Sequence, residues 1–171
     1  MEGEIINKVA NSVLINFDLE KYYDQSPRVQ IDIKDQLYNE LVLREKDFRA
    51  FVKDHNWEEY KNKNVAVHCS VDAIVPTWAY MLLASALEPY AKDFAFGDLS
   101  HLENHLFQKA LAKIDLQEFE DQKVIIKGCG KFPVPAYAYV EITRLLSPVV
   151  SSLMYGEACS AVPIYKKPKS K

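Results

Sequence analysis

Cysteine and glycine are scarce in this chain, and long apolar runs are missing. The 171 residues include three cysteines and five glycines. Cysteines so few and so far apart are not a disulfide framework, so they are free thiols, metal ligands or small core residues. No apolar run reaches the roughly 20 residues of a membrane-spanning helix, and the start lacks the pattern of a secretion signal. We therefore expect a cytoplasmic protein with no membrane contact.

The chain also lacks a surplus of positive charge. Its formal net charge is −3, whereas a protein that binds nucleic acid usually presents a basic surface. The nucleotide-binding patterns G-x-G-x-x-G and the Walker loop are absent, and the segment KGCGK at 127–131 has two glycines without their spacing. We therefore expect no nucleic-acid partner. With 49% hydrophobic and 26% charged residues, the composition is that of an ordinary globular protein.

What the chain does contain is a repeated apolar segment. Residues Val65–Tyr90 and Val124–Val149 are identical at seven of 26 positions without a gap. Each predicts a buried strand, a loop with a cysteine, and a buried helix that begins near Pro76 or Pro135, because proline suits the first turn of a helix. Two explanations remain open: an internal duplication, or convergence of two buried units on one design.

The order of elements predicts an α/β fold. From Val65 onwards strands and helices alternate as β-α-β-α-β-α-β, which is typical of a mainly parallel sheet flanked by helices. We expect a single domain over residues 1–165, with an N-terminal strand and helices at 1–63 and the alternating body at 64–165. Residues 166–171 are expected to form a basic, disordered tail.

The cysteines are the candidate functional residues. Cys69 and Cys129 follow predicted strands, at the sheet edge where open α/β proteins bind ligands. Cys159 follows a predicted helix, so it joins them only if its segment runs back along the sheet, if the last strand is antiparallel, or if a second subunit supplies it. Because thiolates hold zinc and iron–sulfur clusters, we predict a metal site of Cys69, Cys129 and Cys159, with Asp72 or His68 as a possible fourth ligand.

Two other functions are compatible with the same residues. Helix Thr77–Leu87 has no charged residue, which suits either a buried helix or a homodimer interface. One alternative is therefore a non-catalytic homodimeric interaction module with structural cysteines. The other is a cysteine-dependent enzyme with Cys69 as the nucleophile and Asp72, three residues further along the loop, in contact with it.

Several segments resemble a known bacterial family: HCSVDAIVPTWAYM, VIIKGC, YGEACSAVPIYKK, NKVANS and LREKDFRAFV. The family is described only as a domain of unknown function, family 2480, and the resemblance covers nearly the whole chain. It transfers no activity, but it implies a gene neighbourhood shared with the iron–sulfur cluster assembly system. Our first hypothesis is accordingly a metal- or iron–sulfur-binding accessory protein, with zinc or an iron–sulfur cluster as cofactor and assembly proteins as partners.

Overall fold

A computed structural model of the chain describes residues 14–168, which contain nine strands and four α-helices. The strands are β1 Leu14–Asp18, β2 Arg28–Asp32, β3 Leu37–Tyr38, β4 Val42–Leu43, β5 Asn64–His68, β6 Asp93–Phe96, β7 Lys123–Lys127, β8 Ser152–Tyr155 and β9 Val162–Lys166. The helices are α1 Glu45–Asp54, α2 Thr77–Leu87, α3 Leu99–Leu111 and α4 Ala136–Leu146. Within residues 14–168, no helix is both long enough and apolar enough to cross a bilayer.

The strands form two mainly parallel sheets and a short hairpin. One sheet has the order β2-β5-β6 and is wholly parallel. The other has the order β1-β7-β8-β9, in which only β9 runs antiparallel to its neighbour. Strands β3 and β4 make the hairpin. The α/β class with parallel strands and flanking helices is therefore confirmed, although the strands that the sequence assigned to one sheet are divided between two.

Contacts divide the chain into two compact units. The first unit is Asp24–Leu106, and the second joins the residues up to Tyr23 to those from Phe107 onwards. The first unit is a continuous segment inserted into the chain of the second, because β1 pairs with β7, whereas β2 pairs with β5. A disordered tail was expected from residue 166. Instead, Lys166 belongs to β9, and the backbone N–H of Lys167 donates a hydrogen bond to the carbonyl oxygen of Ser151 at 2.9 Å. Residues 169–171 lie outside the described part.

The repeat extends over a longer stretch than the sequence revealed. Helix α4 begins and ends 59 residues after α2, β8 begins and ends 59 residues after β6, and the same offset separates β7 from β5. Two 3₁₀ turns, Trp57–Tyr60 and Leu116–Phe119, obey it too. Each unit therefore contains one copy of a turn–strand–helix–strand repeat. A constant offset across four elements favours duplication over convergence, because independent origins would not preserve every connection length.

The connections repeat in backbone detail as well. Asn62 and Asp121 hold the same position in the two copies, with φ of 60° and 54°. Gly97 and Gly156 follow β6 and β8 with φ of 116° and 108°, a region that favours glycine. Their N–H groups donate to carbonyl oxygens of β5 and β7 at 2.9 and 3.0 Å. Equivalent turns therefore close both copies at the carboxyl ends of their strands.

Each copy is held together by an apolar stripe on its helix. Ala79, Leu83 and Leu87 recur at every fourth residue of α2, which places them on one face. All three are 0% exposed, as are their counterparts in α4, Ala138, Ile142 and Leu146. The stripes pack into the cores of the first and second units respectively. Burial of this face explains why an isolated run of 11 residues is a stable helix in this protein.

Leu87→Ala and Leu146→Ala test whether the two stripes are equivalent. Each change removes a fully buried side chain, so we expect each to lower the free energy of unfolding by about 2–5 kcal/mol. Met81→Ala is the matched control on α2 because Met81 is 71% exposed, and its expected effect is within about 0.5 kcal/mol. Urea denaturation measures all three. A small effect at only one leucine would contradict equivalent packing.

Candidate functional site

Cys69, the predicted nucleophile, lies in the first unit directly after β5. Its side chain is half-buried and packs against the core of that unit. The thiol donates to the carbonyl oxygen of Val71 at 3.5 Å. Within the described residues no hydrogen bond joins Cys69 to Asp72, which is exposed, or to His68, whose buried Nε2 has no partner there. The expected thiol–carboxylate pair is therefore not formed.

Cys129 and Cys159 both belong to the second unit. Cys159 was expected at the opposite edge of the sheet because the sequence showed no strand between it and the preceding helix. The structure contains that strand, β8, so Cys159 follows a carboxyl strand end, as Cys129 does. The antiparallel final strand that would permit this arrangement is also present as β9. Both thiols are exposed.

The predicted metal site receives no support from the described residues. Over residues 14–168 no group of three or more His, Cys, Asp or Glu side chains is placed to hold a metal ion. Structural zinc and iron–sulfur sites usually take four such ligands. Cys69 belongs to one unit, and Cys129 and Cys159 belong to the other, so a shared three-cysteine metal site stays a prediction.

The thiol of Cys129 has two phenolic partners instead. Its Sγ lies 3.2 Å from the hydroxyl oxygen of Tyr155 and 3.7 Å from that of Tyr139. Tyr155 is the last residue of β8, and Tyr139 lies in the first turn of α4. The two rings meet edge to face, with centroids 5.8 Å apart and an interplanar angle of 80°. Strand and helix thus bring two hydroxyl groups to one sulfur.

These hydrogen bonds change the proton affinities of all three groups. The hydrogen bond from Tyr155, with a second from Tyr139, lowers the pKa of the Cys129 thiol, although desolvation and the charge of Glu20 act in the opposite direction. Burial, followed by the bond to Cys129, raises the pKa of Tyr139, and the bond to Cys129 raises the pKa of Tyr155. The arrangement therefore favours a thiolate that accepts hydrogen bonds from two protonated phenols.

Glu20 shapes the loop that carries Cys129. Its carboxylate accepts hydrogen bonds from the backbone N–H groups of Gly130, of Lys131 at 2.8 Å and of Phe132 at 3.2 Å. These bonds, that from Lys131 first, lower the pKa of Glu20. A Cβ on Gly130 would lie 2.6 Å from Oε1 of Glu20, so any other residue at position 130 would require the carboxylate to shift. Glu20 therefore holds the loop as an anion.

Gly128 serves the approach of Tyr139 in the same way. A Cβ at this position would lie 2.8 Å from the Tyr139 hydroxyl oxygen and 3.1 Å from the Cβ of buried Leu19. Both distances are too short for ordinary contact. The two glycines of the KGCGK segment precede and follow Cys129 in sequence. Gly128 makes room for the Tyr139 hydroxyl, and Gly130 makes room for the Glu20 carboxylate.

Two cavities adjoin at Cys129. One has a volume of about 310 Å³ and a polar lining that includes three carboxylates and one cation, from Asp18, Glu20, Glu157 and Lys127. The other has a volume of about 400 Å³, and its lining is mostly apolar, with Ile126, Val134 and Ile164 among its side chains. Gly128, Cys129 and Tyr155 line both. The thiol therefore lies where a small molecule with an apolar end and a polar end would meet it.

Sequence reasoning identified Cys129 but missed its surroundings. It assigned no functional role to Tyr139, Tyr155 or Glu20. One signal was available: the cysteines of the two copies are one place out of step, because Cys69 is equivalent to Gly128. That shift marks the loop of the second copy as the one that differs.

The fold and the site define an α/β protein with a duplicated strand–helix–strand unit and an exposed, tyrosine-bonded thiol in one copy. The model of the family described as "Protein of unknown function (DUF2480)" matches residues 3–167. The chain therefore belongs to that family, as its motifs indicated. No curated protein matches the chain, and no protein of solved structure matches it.

Glu20→Gln tests how the thiol loop is held. Because the folded-state pKa of Glu20 is lowered, its contribution is complete above the ordinary carboxyl pKa and is lost as the pH falls through the lowered value. At pH 7 we expect Glu20→Gln to lower the hydrogen-exchange protection of the Gly130, Lys131 and Phe132 amides. The difference from wild type should shrink at acidic pH, where wild-type Glu20 is also neutral.

Glu157→Gln is the matched control for this experiment, because it removes the same charge from the same cavity. It should leave the protection of the three loop amides unchanged. Equal loss of protection in both variants would show that the charge of the cavity, and not the carboxylate bonds of Glu20, holds the loop.

Proposed function

We propose that this protein is a cysteine-dependent enzyme that acts on a small molecule with an apolar group, and that Cys129 is its nucleophile. The observation that carries the proposal is the contact of one exposed thiol with two tyrosine hydroxyls at the junction of two cavities. A thiol with a lowered pKa is more often deprotonated at neutral pH, and the thiolate is the nucleophilic form.

The proposed reaction begins with attack of the thiolate on an electrophilic carbon. That carbon belongs to a carbonyl group: a bond forms between Sγ of Cys129 and the carbonyl carbon, the C=O π bond breaks, and its electron pair moves to the oxygen. The raised pKa values of Tyr139 and Tyr155 keep both phenols protonated. They therefore act as hydrogen-bond donors, first to the sulfur and then to the oxygen that gains charge.

The two cavities indicate the class of substrate. The apolar cavity, of about 400 Å³, suits a hydrocarbon or aryl group. The polar cavity has three carboxylates against one lysine, so it disfavours an anionic end and favours a hydroxyl or amine. The substrate is accordingly a neutral or cationic amphiphilic molecule with an electrophilic carbon between its two ends.

The proposal keeps the enzyme alternative drawn from the sequence but moves the nucleophile from Cys69 to Cys129. The thiol of Cys69 bonds a backbone carbonyl, whereas that of Cys129 has two hydroxyl donors and adjoins both cavities. Among residues 14–168, the metal-binding hypothesis has no comparable observation in its favour.

Reaction with limiting iodoacetamide tests the nucleophile. Peptide mass spectrometry should find Cys129 alkylated faster than Cys159, which is also exposed and serves as the internal comparison. The rate at Cys129 should rise with pH around a midpoint below that of an unstructured peptide thiol. Tyr155→Phe should lower the rate at pH 7 by roughly two- to tenfold, and Tyr139→Phe should have a smaller effect because its contact is longer.

Tyr137→Phe is the control for these substitutions, because Tyr137 lies on α4 with Tyr139 but does not line either cavity. At a pH well above the midpoint the Tyr155→Phe thiolate should react at least as fast as wild type, since nucleophilicity rises with thiol pKa. Equal rates at Cys129 and Cys159 in wild type, with an ordinary midpoint, would refute the proposed nucleophile.

Thr143→Phe tests the apolar cavity separately from the thiol, because Thr143 lines that cavity and not the polar one. In wild type, N-phenylmaleimide should modify Cys129 faster than N-ethylmaleimide does. The ratio of the two rates should be larger at Cys129 than at Cys159. Thr143→Phe fills the cavity and should remove this preference while the iodoacetamide rate stays unchanged. A preference that survives the substitution would exclude the cavity as the site of the apolar group.

A further inference from the structure

The first unit contains a cavity equivalent to the apolar cavity beside Cys129. It has a volume of about 300 Å³, and its lining includes Val67, Tyr80, Ala84 and Phe96. Adding the repeat offset of 59 to each of these positions gives four residues that line the apolar cavity of the second unit. Those residues are Ile126, Tyr139, Thr143 and Tyr155. The duplication has therefore preserved the cavity along with the fold.

The aromatic wall of the cavity is preserved in geometry too. Tyr80 and Phe96 meet edge to face, with centroids 5.1 Å apart and an interplanar angle of 85°. The equivalent pair, Tyr139 and Tyr155, meets at 5.8 Å and 80°. An apolar group that packs against one pair would find the same arrangement of rings at the other.

The reactive groups are what the first unit lacks. Phe96 replaces Tyr155, so the closer of the two hydroxyl donors is absent at the equivalent position. Ser70 replaces Cys129, and its backbone N–H donates to the Asp32 carboxylate at 3.0 Å. Neither Cys69 nor Ser70 lines the cavity. The first-unit cavity therefore retains the apolar lining but has no nucleophile in it.

The surroundings indicate that this cavity is open to a ligand. The sheet of the first unit ends at β6, whereas in the second unit β9 follows β8 and contributes Ile164 to the cavity. Met81 and Phe96, which line the first-unit cavity, are each 71% exposed. No charged residue is part of this lining. An uncharged apolar group would cover exposed hydrocarbon there and meet no buried charge.

We propose that the first-unit cavity is a second ligand site, which binds the same class of apolar group that enters the cavity beside Cys129 but does not react with it. The identity of that group rests on the proposed function, whereas the binding does not. Each chain would then hold two molecules of the class, one at a chemical site and one at a binding site.

Titration with N-phenyl-1-naphthylamine, an uncharged aryl probe that fluoresces in apolar surroundings, tests the proposal. We expect wild type to bind two probe molecules per chain, counted by equilibrium dialysis. Ala84→Phe should fill the first-unit cavity and reduce the number to one without slowing iodoacetamide at Cys129. Thr143→Phe is its matched counterpart in the second unit and should remove the other site. The double variant should bind none.

Phe96→Gln is a second test that leaves the core intact, because Phe96 is 71% exposed. It should weaken one of the two sites, the one that Ala84→Phe removes. A wild type that binds one probe, or a number unchanged by Ala84→Phe, would overturn the second site and leave the proposed nucleophile standing. Two bound probes beside an unreactive Cys129 would support the second site and refute the proposed function.

Size-exclusion chromatography over a range of concentrations distinguishes a different occupant. A monomer that binds two probes supports the ligand site. A dimer that Phe96→Gln or Ala84→Phe dissociates would show that a second copy of the chain covers this cavity, and would overturn the proposal.

Discussion

The burial of one helix stripe against parallel strands is the constraint on which the rest of this protein depends. Parallel strands need a crossover connection between them, and the sheet faces must be covered. In each copy a helix of 11 residues makes the crossover and covers one face of the sheet. Its three inward side chains have no exposure, whichever copy is considered. Once the stripe is buried, the loop before the helix and the turn after the second strand must both emerge at the carboxyl edge of the sheet. The cavities arise at that edge because the scaffold leaves no other place for these connections.

Because the stripe holds the fold, the loops were free to diverge. In the loop of the first copy, Cys69 packs against the core, and the backbone N–H of Ser70 donates a hydrogen bond to the Asp32 carboxylate. The loop of the second copy has Gly128 at the position of Cys69, and the absent side chain lets the Tyr139 hydroxyl approach. The thiol then follows one residue later, at Cys129. The second copy therefore has a glycine at the position equivalent to Cys69 and its cysteine one position later. This difference of one position distinguishes a packing residue from a thiol bonded by tyrosines.

The electrostatics of the thiol reflect a compromise between holding the loop and activating the sulfur. The loop is held by the carboxylate of Glu20, which needs its negative charge to accept three backbone hydrogen bonds. The same charge raises the pKa of Cys129 and so opposes the thiolate. The hydroxyls of Tyr155 and Tyr139 overcome this effect as neutral dipoles directed at the sulfur. Such donors act at contact distance and depend less on salt than a distant cation would.

The amino-acid sequence by itself determined the α/β class, the repeated unit and the placement of Cys69 and Cys129 after strands, because periodicity reports which segments are buried. It missed the four-residue strand β8, whose sequence is SLMY. A run this short has no pattern that distinguishes a strand from a turn. The two sheets and the partners of Cys129 were decided only by the tertiary structure. Tyr155 and Glu20 lie 26 and about 110 residues from the thiol loop, and local pattern carries no information on which distant groups meet when the strands pair.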